Sequence, residues 1–172
     1  VGILNRQGGV ICSGTLLLGN YFLTAKHCTG PLSVDMLYAA GGGSGSTYSI
    51  VAVVEFGVGG FDYQLLELSG SPSVASGTTW LTTAPQPVGS QPVIMGYIGG
   101  YNVASGAIQS SGSGTYGYNV DTVDGTSGAG VLSLSGHVFA VHTTAGTSPC
   151  TGSPNLAVDL ASIVPVSATL QG

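Results

Sequence analysis

Side chains able to do chemistry are scarce in this chain of 172 residues, which holds three histidines, seven carboxylates and two basic residues, Arg6 and Lys26. His27 ends the stretch Phe22-Leu23-Thr24-Ala25-Lys26-His27-Cys28, just beyond an apolar run and beside a cysteine. An imidazole fixed there is a candidate general base, and a loop histidine is the other reading. Asp62 opens Tyr63-Gln64-Leu65-Leu66-Glu67-Leu68, a segment apolar enough to be buried. A carboxylate at the mouth of a buried strand is costly unless a donor such as an imidazole N–H satisfies it, and an exposed turn aspartate is the alternative. Ser127 sits in Asp124-Gly125-Thr126-Ser127-Gly128-Ala129-Gly130. Glycines on both sides let the backbone bend sharply, presenting the hydroxyl while the amides of Gly125 and Ser127 converge where an oxyanion can be held. Taken alone, this motif in a chain with 30 glycines is weak.

The elements that must position these residues read as short strands. Val10–Leu18, Tyr21–Ala25, Ser49–Phe56, Tyr63–Leu68, Pro92–Gly96, Ala107–Ser110, Tyr116–Val120, Val131–Leu134 and Val138–Thr143 are rich in β-branched and aromatic residues, with Gly, Ser, Pro and Asn between them. Ser69–Val88, rich in Ser, Thr and Pro, is the best boundary, with Trp80 and Leu81 expected to tack it to the body. Gly41–Ser46 reads as a mobile loop, and Leu160–Leu170 as a turn or two of helix that Pro165 interrupts.

Composition narrows the function. With a net charge of −5 the chain cannot neutralise a row of phosphates, so nucleic acid is excluded as a partner. The apolar residues never make the run of about 18–20 that spanning a membrane requires, and a soluble protein is expected. No charged segment followed by an apolar one opens the chain, so any signal or pro-segment is expected to be missing from it. The histidines and cysteines lack His-x-x-x-His or Cys-x-x-Cys spacing, and neither metal nor cofactor is expected. Cys12, Cys28 and Cys150 are an odd count: a Cys12–Cys28 pair would imply an oxidising compartment and leave Cys150 as a buried small residue, a free thiol or half of an intermolecular bridge.

Jointly, in the order His, Asp, Ser, these segments resemble the trypsin-like serine protease superfamily. Thr24-Ala25-Lys26-His27-Cys28, Asp62-Tyr63-Gln64-Leu65-Leu66-Glu67-Leu68 and Gly125-Thr126-Ser127-Gly128 match its three motifs, and Cys12 falls where that family places the partner of the cysteine after the histidine. The resemblance implies an all-β fold of two packed six-stranded antiparallel Greek-key β-barrels, residues 1–78 carrying His27 and Asp62 and residues 79–172 carrying Ser127 and the specificity pocket. It implies a secreted, monomeric endopeptidase acting on peptides through an acyl-enzyme. Ser127 is then the nucleophile, His27 the base, Asp62 its orienter, and Gly125 and Ser127 the oxyanion donors. Val141-His142-Thr143-Thr144-Ala145-Gly146 is similar to the strand that pairs with substrate, with Thr143 placed to support the aspartate.

Departures from that pattern matter. Thr126 stands where the digestive enzymes carry an aspartate that pairs with a new N-terminus, so activation by that ion pair is not expected. Asp121 through Gly128, with His142 fifteen residues after the serine, is similar to bacterial glutamyl endopeptidases, in which the threonine and histidine at these places bind a glutamate side chain. Phe61–Leu68 and Tyr21–Ala25 are also similar to bacterial lysyl endopeptidases. Asp121 and Asp159, if they approach the pocket floor, would favour a basic side chain or a protonated His142; hydrogen-bonded into the barrel wall, they would leave a polar or small apolar pocket. Cleavage after acidic residues, through Thr122 and His142, is the reading preferred. A protease fold that binds peptides without cutting them is the competing class.

Overall fold

The computed structural model describes residues 2–6, 9–17, 19–31, 33–36, 46–70, 72, 80–97, 101–146 and 152–171. Six strands, β1 (Gly2–Arg6), β2 (Gly9–Leu16), β3 (Tyr21–Thr24), β4 (Ser33–Met36), β5 (Thr47–Phe56) and β6 (Gln64–Leu68), close into a barrel in the order β1-β2-β3-β6-β5-β4, every pair antiparallel. Seven more follow: β7 (Val93–Tyr97), β8 (Tyr101–Ser105), β9 (Ile108–Gly112), β10 (Thr115–Tyr118), β11 (Gly130–Leu132), β12 (Val138–Thr144) and β13 (Asn155–Asp159). They form one sheet in the order β8-β7-β11-β12-β13-β10-β9.

Seven strands rather than the expected six has a simple cause. Only residues 106 and 107 separate β8 from β9, which lie at opposite edges of the sheet, so a single bent strand supplies both edges and wraps the sheet on itself. The Asn119 side chain stabilises the bend by accepting the Ala107 N–H at 2.6 Å.

Alternation along the strands explains why β3 and β6 read as continuous apolar runs: both of their faces are covered. Phe22, Leu66 and Leu68 point into the first barrel with Leu4, Leu16 and Val34, whereas Leu23 and Leu65 join Leu17, Tyr63, Val138, Val141, Val158, Leu160 and Ile163 in a core between the two sheets. Ile94, Ile108, Tyr116, Tyr118, Val131 and Phe139 fill the second half. At about 1.5–3 kcal/mol per buried large apolar side chain, the middle core is what presses the two halves together.

The chain ends in one short helix, α1 (Leu160–Ile163), and a 3-10 turn, Val164–Val166, where Pro165 stops further α-helix. Trp80 is 66% exposed and does not anchor its segment by its side chain, whereas Leu81 packs against the core between the sheets as expected; the backbone adds to this, as Val138 N–H donates to the Trp80 carbonyl and Leu81 bridges to Val138. Among the described residues no helix is long and apolar enough to cross a membrane. Cys150 and most of the Gly41–Ser46 loop lie outside the described residues.

Candidate active site

His27 occupies a tight turn at the end of β3, where the Cys28 N–H donates to the Ala25 carbonyl at 3.1 Å. Two devices fix that turn. Cys28 is disulfide-bonded to Cys12 on β2. Gln64, 2% exposed at the start of β6, donates through Nε2 to the carbonyls of both Ala25 and Cys28, at 3.0 and 2.9 Å, spanning the histidine.

Asp62 takes both its hydrogen bonds from His27: Oδ1 accepts the backbone N–H at 3.1 Å and Oδ2 lies 2.7 Å from Nδ1. One carboxylate thereby sets the rotamer and the tautomer of the ring, leaving Nε2 free to accept a proton. The pair is open to solvent, with side chains 46% and 35% exposed. Asp62 thus combines the two readings, an imidazole partner on a half-exposed carboxylate, because it follows the surface 3-10 turn Val58–Gly60 and precedes β6, which begins at Gln64.

Ser127 lies on the loop between β10 and β11. Its carbonyl accepts the Ser13 N–H at 2.8 Å and lies 3.8 Å from Cys28 Sγ, so its backbone is seated beside the His27 turn. Gly125 has φ +83° and Gly128 φ +85°, conformations glycine adopts freely. At Gly128 a side chain would also collide, since a Cβ would sit 2.1 Å from Thr24 Oγ1 and 2.3 Å from the Ser13 carbonyl oxygen. Among the described residues, the Ser127 hydroxyl makes no hydrogen bond, and neither the Gly125 nor the Ser127 N–H donates to a protein acceptor. Two unengaged amides on a serine loop seated beside the turn of an oriented imidazole suit nucleophilic attack on a carbonyl.

The Gly128 N–H donates to the His142 carbonyl at 2.7 Å, bringing the serine loop to the last turn of β12. Beyond His142 the flank of β12 facing that loop has no strand partner among the described residues, and Thr144 and Ala145 are exposed there, an edge to which an extended peptide can add. Thr143 is buried, and its hydroxyl donates to the Leu156 carbonyl at 3.3 Å; it does not reach Asp62, because the bulge in the β12–β13 pairing at Thr143 turns the side chain to the opposite strand. Thr122 is half-buried in the loop before Ser127.

His142 is 1% exposed, with Nδ1 2.5 Å from the Tyr118 hydroxyl. Burial, reinforced by the charge of His27, pushes its imidazole down to about 4. Burial also pushes the Tyr118 phenol well up, so it can donate to Nδ1 and leave the ring proton on Nε2. Asp159 is not at a pocket floor: its Oδ1 caps α1 by accepting the Ala161 N–H at 2.9 Å, and burial pushes its carboxyl up. Asp121 is exposed beside Thr122.

Three positioning residues escaped the sequence reading. Gln64, Ser13 and Tyr118 each show as a hydrogen-bonding group inside an apolar strand, a signal that does not name the partner.

The trypsin family model matches residues 1–103. No curated protein sequence is significantly similar. Among solved structures, neuropsin, a serine protease of mouse brain, superposes with a TM-score of 0.80 at 18% identity, over 95% of this chain and 90% of that one. A Glu endopeptidase superposes at 0.71 with 18% identity, over 99% and 86%. The inactive form of the Rv3671c protease of M. tuberculosis does so at 0.74 with 16% identity, over 99% and 88%. At such identities these likenesses concern the fold.

Proposed function

This chain belongs to the trypsin family of serine proteases, and from that premise we propose that it is a secreted endopeptidase that cleaves peptide bonds through an acyl-enzyme on Ser127. The observation that carries the reading is the His27–Asp62 pair held beside a serine loop whose two amides are unengaged. In this reading residues 1–78 supply the base and its orienter, and residues 79–172 the nucleophile and the pocket. His27 Nε2 takes the proton of the Ser127 hydroxyl as Oγ bonds to the substrate carbonyl carbon. The carbonyl oxygen, now negative, accepts from the N–H groups of Gly125 and Ser127. The tetrahedral intermediate collapses as His27 passes the proton to the leaving amine, and water repeats the sequence to release the acid. The Cys12–Cys28 disulfide supports an extracellular setting.

Thr122 and His142 are the proposed determinants of cleavage after acidic residues. The His142 ring is neutral at pH 7 in the free enzyme, and a substrate carboxylate near it would favour its protonated form. Removal of Asp159 to the helix cap takes one negative charge away from the alternative, cleavage after basic residues.

A second reading, a peptide-binding module that does not cut, draws on one observation, the absence of a hydrogen bond from the Ser127 hydroxyl among the described residues. A fluorophosphonate separates the two. Labelling at Ser127, lost in Ser127→Ala together with casein cleavage by about 10⁶-fold, supports the enzyme; an unlabelled, folded protein supports the binding module. Mapping cleavage sites on a denatured protein mixture then reports the preferred residue.

A further inference from the structure

We propose that Ser13 is a positioning residue for the oxyanion hole, its hydroxyl holding the Gly125 carbonyl and thereby the direction of the Gly125 N–H. The inference rests on the reading of Ser127 as nucleophile. Ser13 is fully buried on β2, one residue after Cys12. Its Oγ donates to the Gly125 carbonyl at 2.9 Å, and its own N–H donates to the Ser127 carbonyl at 2.8 Å. Its carbonyl accepts from Thr24 Oγ1 at 2.8 Å, which ties it to the strand that carries His27. One residue of the first barrel thus grips the serine loop on both sides of Thr126.

The grip falls on the peptide unit next to the one that carries the Gly125 N–H. The Gly125–Thr126 peptide has its carbonyl on Ser13 Oγ and its N–H on the Val123 carbonyl at 3.1 Å, so it is tethered at both ends. Gly125, at φ +83° and without a Cβ, opposes rotation of the preceding peptide only weakly, so the fixed neighbouring unit is what limits the Gly125 N–H that this peptide carries. One side of the loop adjoins a cavity of about 290 Å³ lined by Ile94, Gly96, Val103, Asp121, Val123 and Thr126. A donor pair fixed before the reaction stabilises the developing charge without reorganising, and a loose one loses part of that effect.

The test compares wild type, Ser13→Ala, which removes the hydroxyl, and Ser13→Thr, which keeps it. In Ser13→Ala, kcat on labelled casein should fall about ten- to a hundredfold, a part of what losing an oxyanion donor outright costs. KM and the His27 limb of the pH–rate profile should stay put, the thermal midpoint should fall by only the few degrees that one lost hydrogen bond costs, and fluorophosphonate labelling of Ser127 should slow by a similar factor. Ser13→Thr should keep kcat within about threefold of wild type. Unchanged kcat in Ser13→Ala overturns the proposal. So does a failure of Ser13→Ala to fold, or an equal loss of kcat in Ser13→Thr at a wild-type thermal midpoint, each of which removes the hydroxyl from the account. Failure of wild type to label at Ser127 instead removes the underlying reading of the nucleophile.

Discussion

His142 and Gln64 show how single buried polar groups carry the site. The folded-state pKa of His142, about 4, lies below the ordinary 6.5, so between these values the unfolded chain binds a proton that the folded protein refuses. Stability is therefore full above pH 6.5 and falls as the pH drops towards 4, by roughly 3 kcal/mol from this residue. Urea unfolding at pH 7 and pH 4.5 should show that loss, and His142→Gln should flatten it; Asp159, whose carboxyl is raised, contributes a slope of the opposite sign in both proteins. Gln64→Leu keeps approximate volume but leaves the Ala25 and Cys28 carbonyls without their donor. A cost of about 1–3 kcal/mol in urea unfolding is expected, with a fall in casein turnover as the His27 turn loosens.

Among the elements, the loop between β10 and β11 and the ends of β2 and β3 meet without room for a single added carbon. Gly128→Ala must adopt φ near +85° and displace Thr24 Oγ1 or the Ser13 carbonyl. The strained backbone alone costs about 1–3 kcal/mol, and overpacking a comparable amount. Fluorophosphonate labelling should be nearly abolished, because the displaced partners are those that seat Ser127. The same element scale explains which strands were legible. β5 and β12 stand out as long β-branched and apolar segments and β6 by its leucines, whereas β1, β4, β8 and β13 do not: Gly2–Arg6, Ser33–Met36, Tyr101–Ser105 and Asn155–Asp159 are short and mixed in polarity, and pairing makes them strands.

For the molecule as a whole, Glu55 joins the first barrel to the C-terminal segment. Its carboxylate accepts from the Tyr63 hydroxyl at 2.9 Å and from the Thr169 N–H at 2.7 Å. Burial pushes this carboxyl up, but hydrogen bonds from Ser167, Thr169 and Tyr63 outweigh it and hold it below the ordinary value of 4.5. Burial and Glu55 push the Tyr63 phenol up to about 12. A depressed carboxyl contributes stability above its unfolded pKa and loses it as pH falls through the folded one. Glu55→Gln should therefore lower stability at pH 7 by about 1–3 kcal/mol, a difference that shrinks below pH 4.5. Thermal unfolding of the two proteins at pH 7 and pH 3.5 checks both the size and the shrinkage. Since Tyr63 adjoins Asp62, the clasp also steadies the strand entry that carries the carboxylate.

By itself the sequence determined the all-β class and the short terminal helix, because strand periodicity and proline act locally and survive translation into three dimensions; the pairing of His27 with Asp62, 35 residues apart, came only as what the family resemblance implied. Only the tertiary structure decided that Asp62 is open to solvent, that Thr143 turns to Leu156, that Asp159 caps a helix, and that Ser13 and Gln64 hold the serine loop and the histidine turn. Each depends on which backbone group a side chain meets across tens of residues of chain, and packing sets that choice, whereas residue type does not.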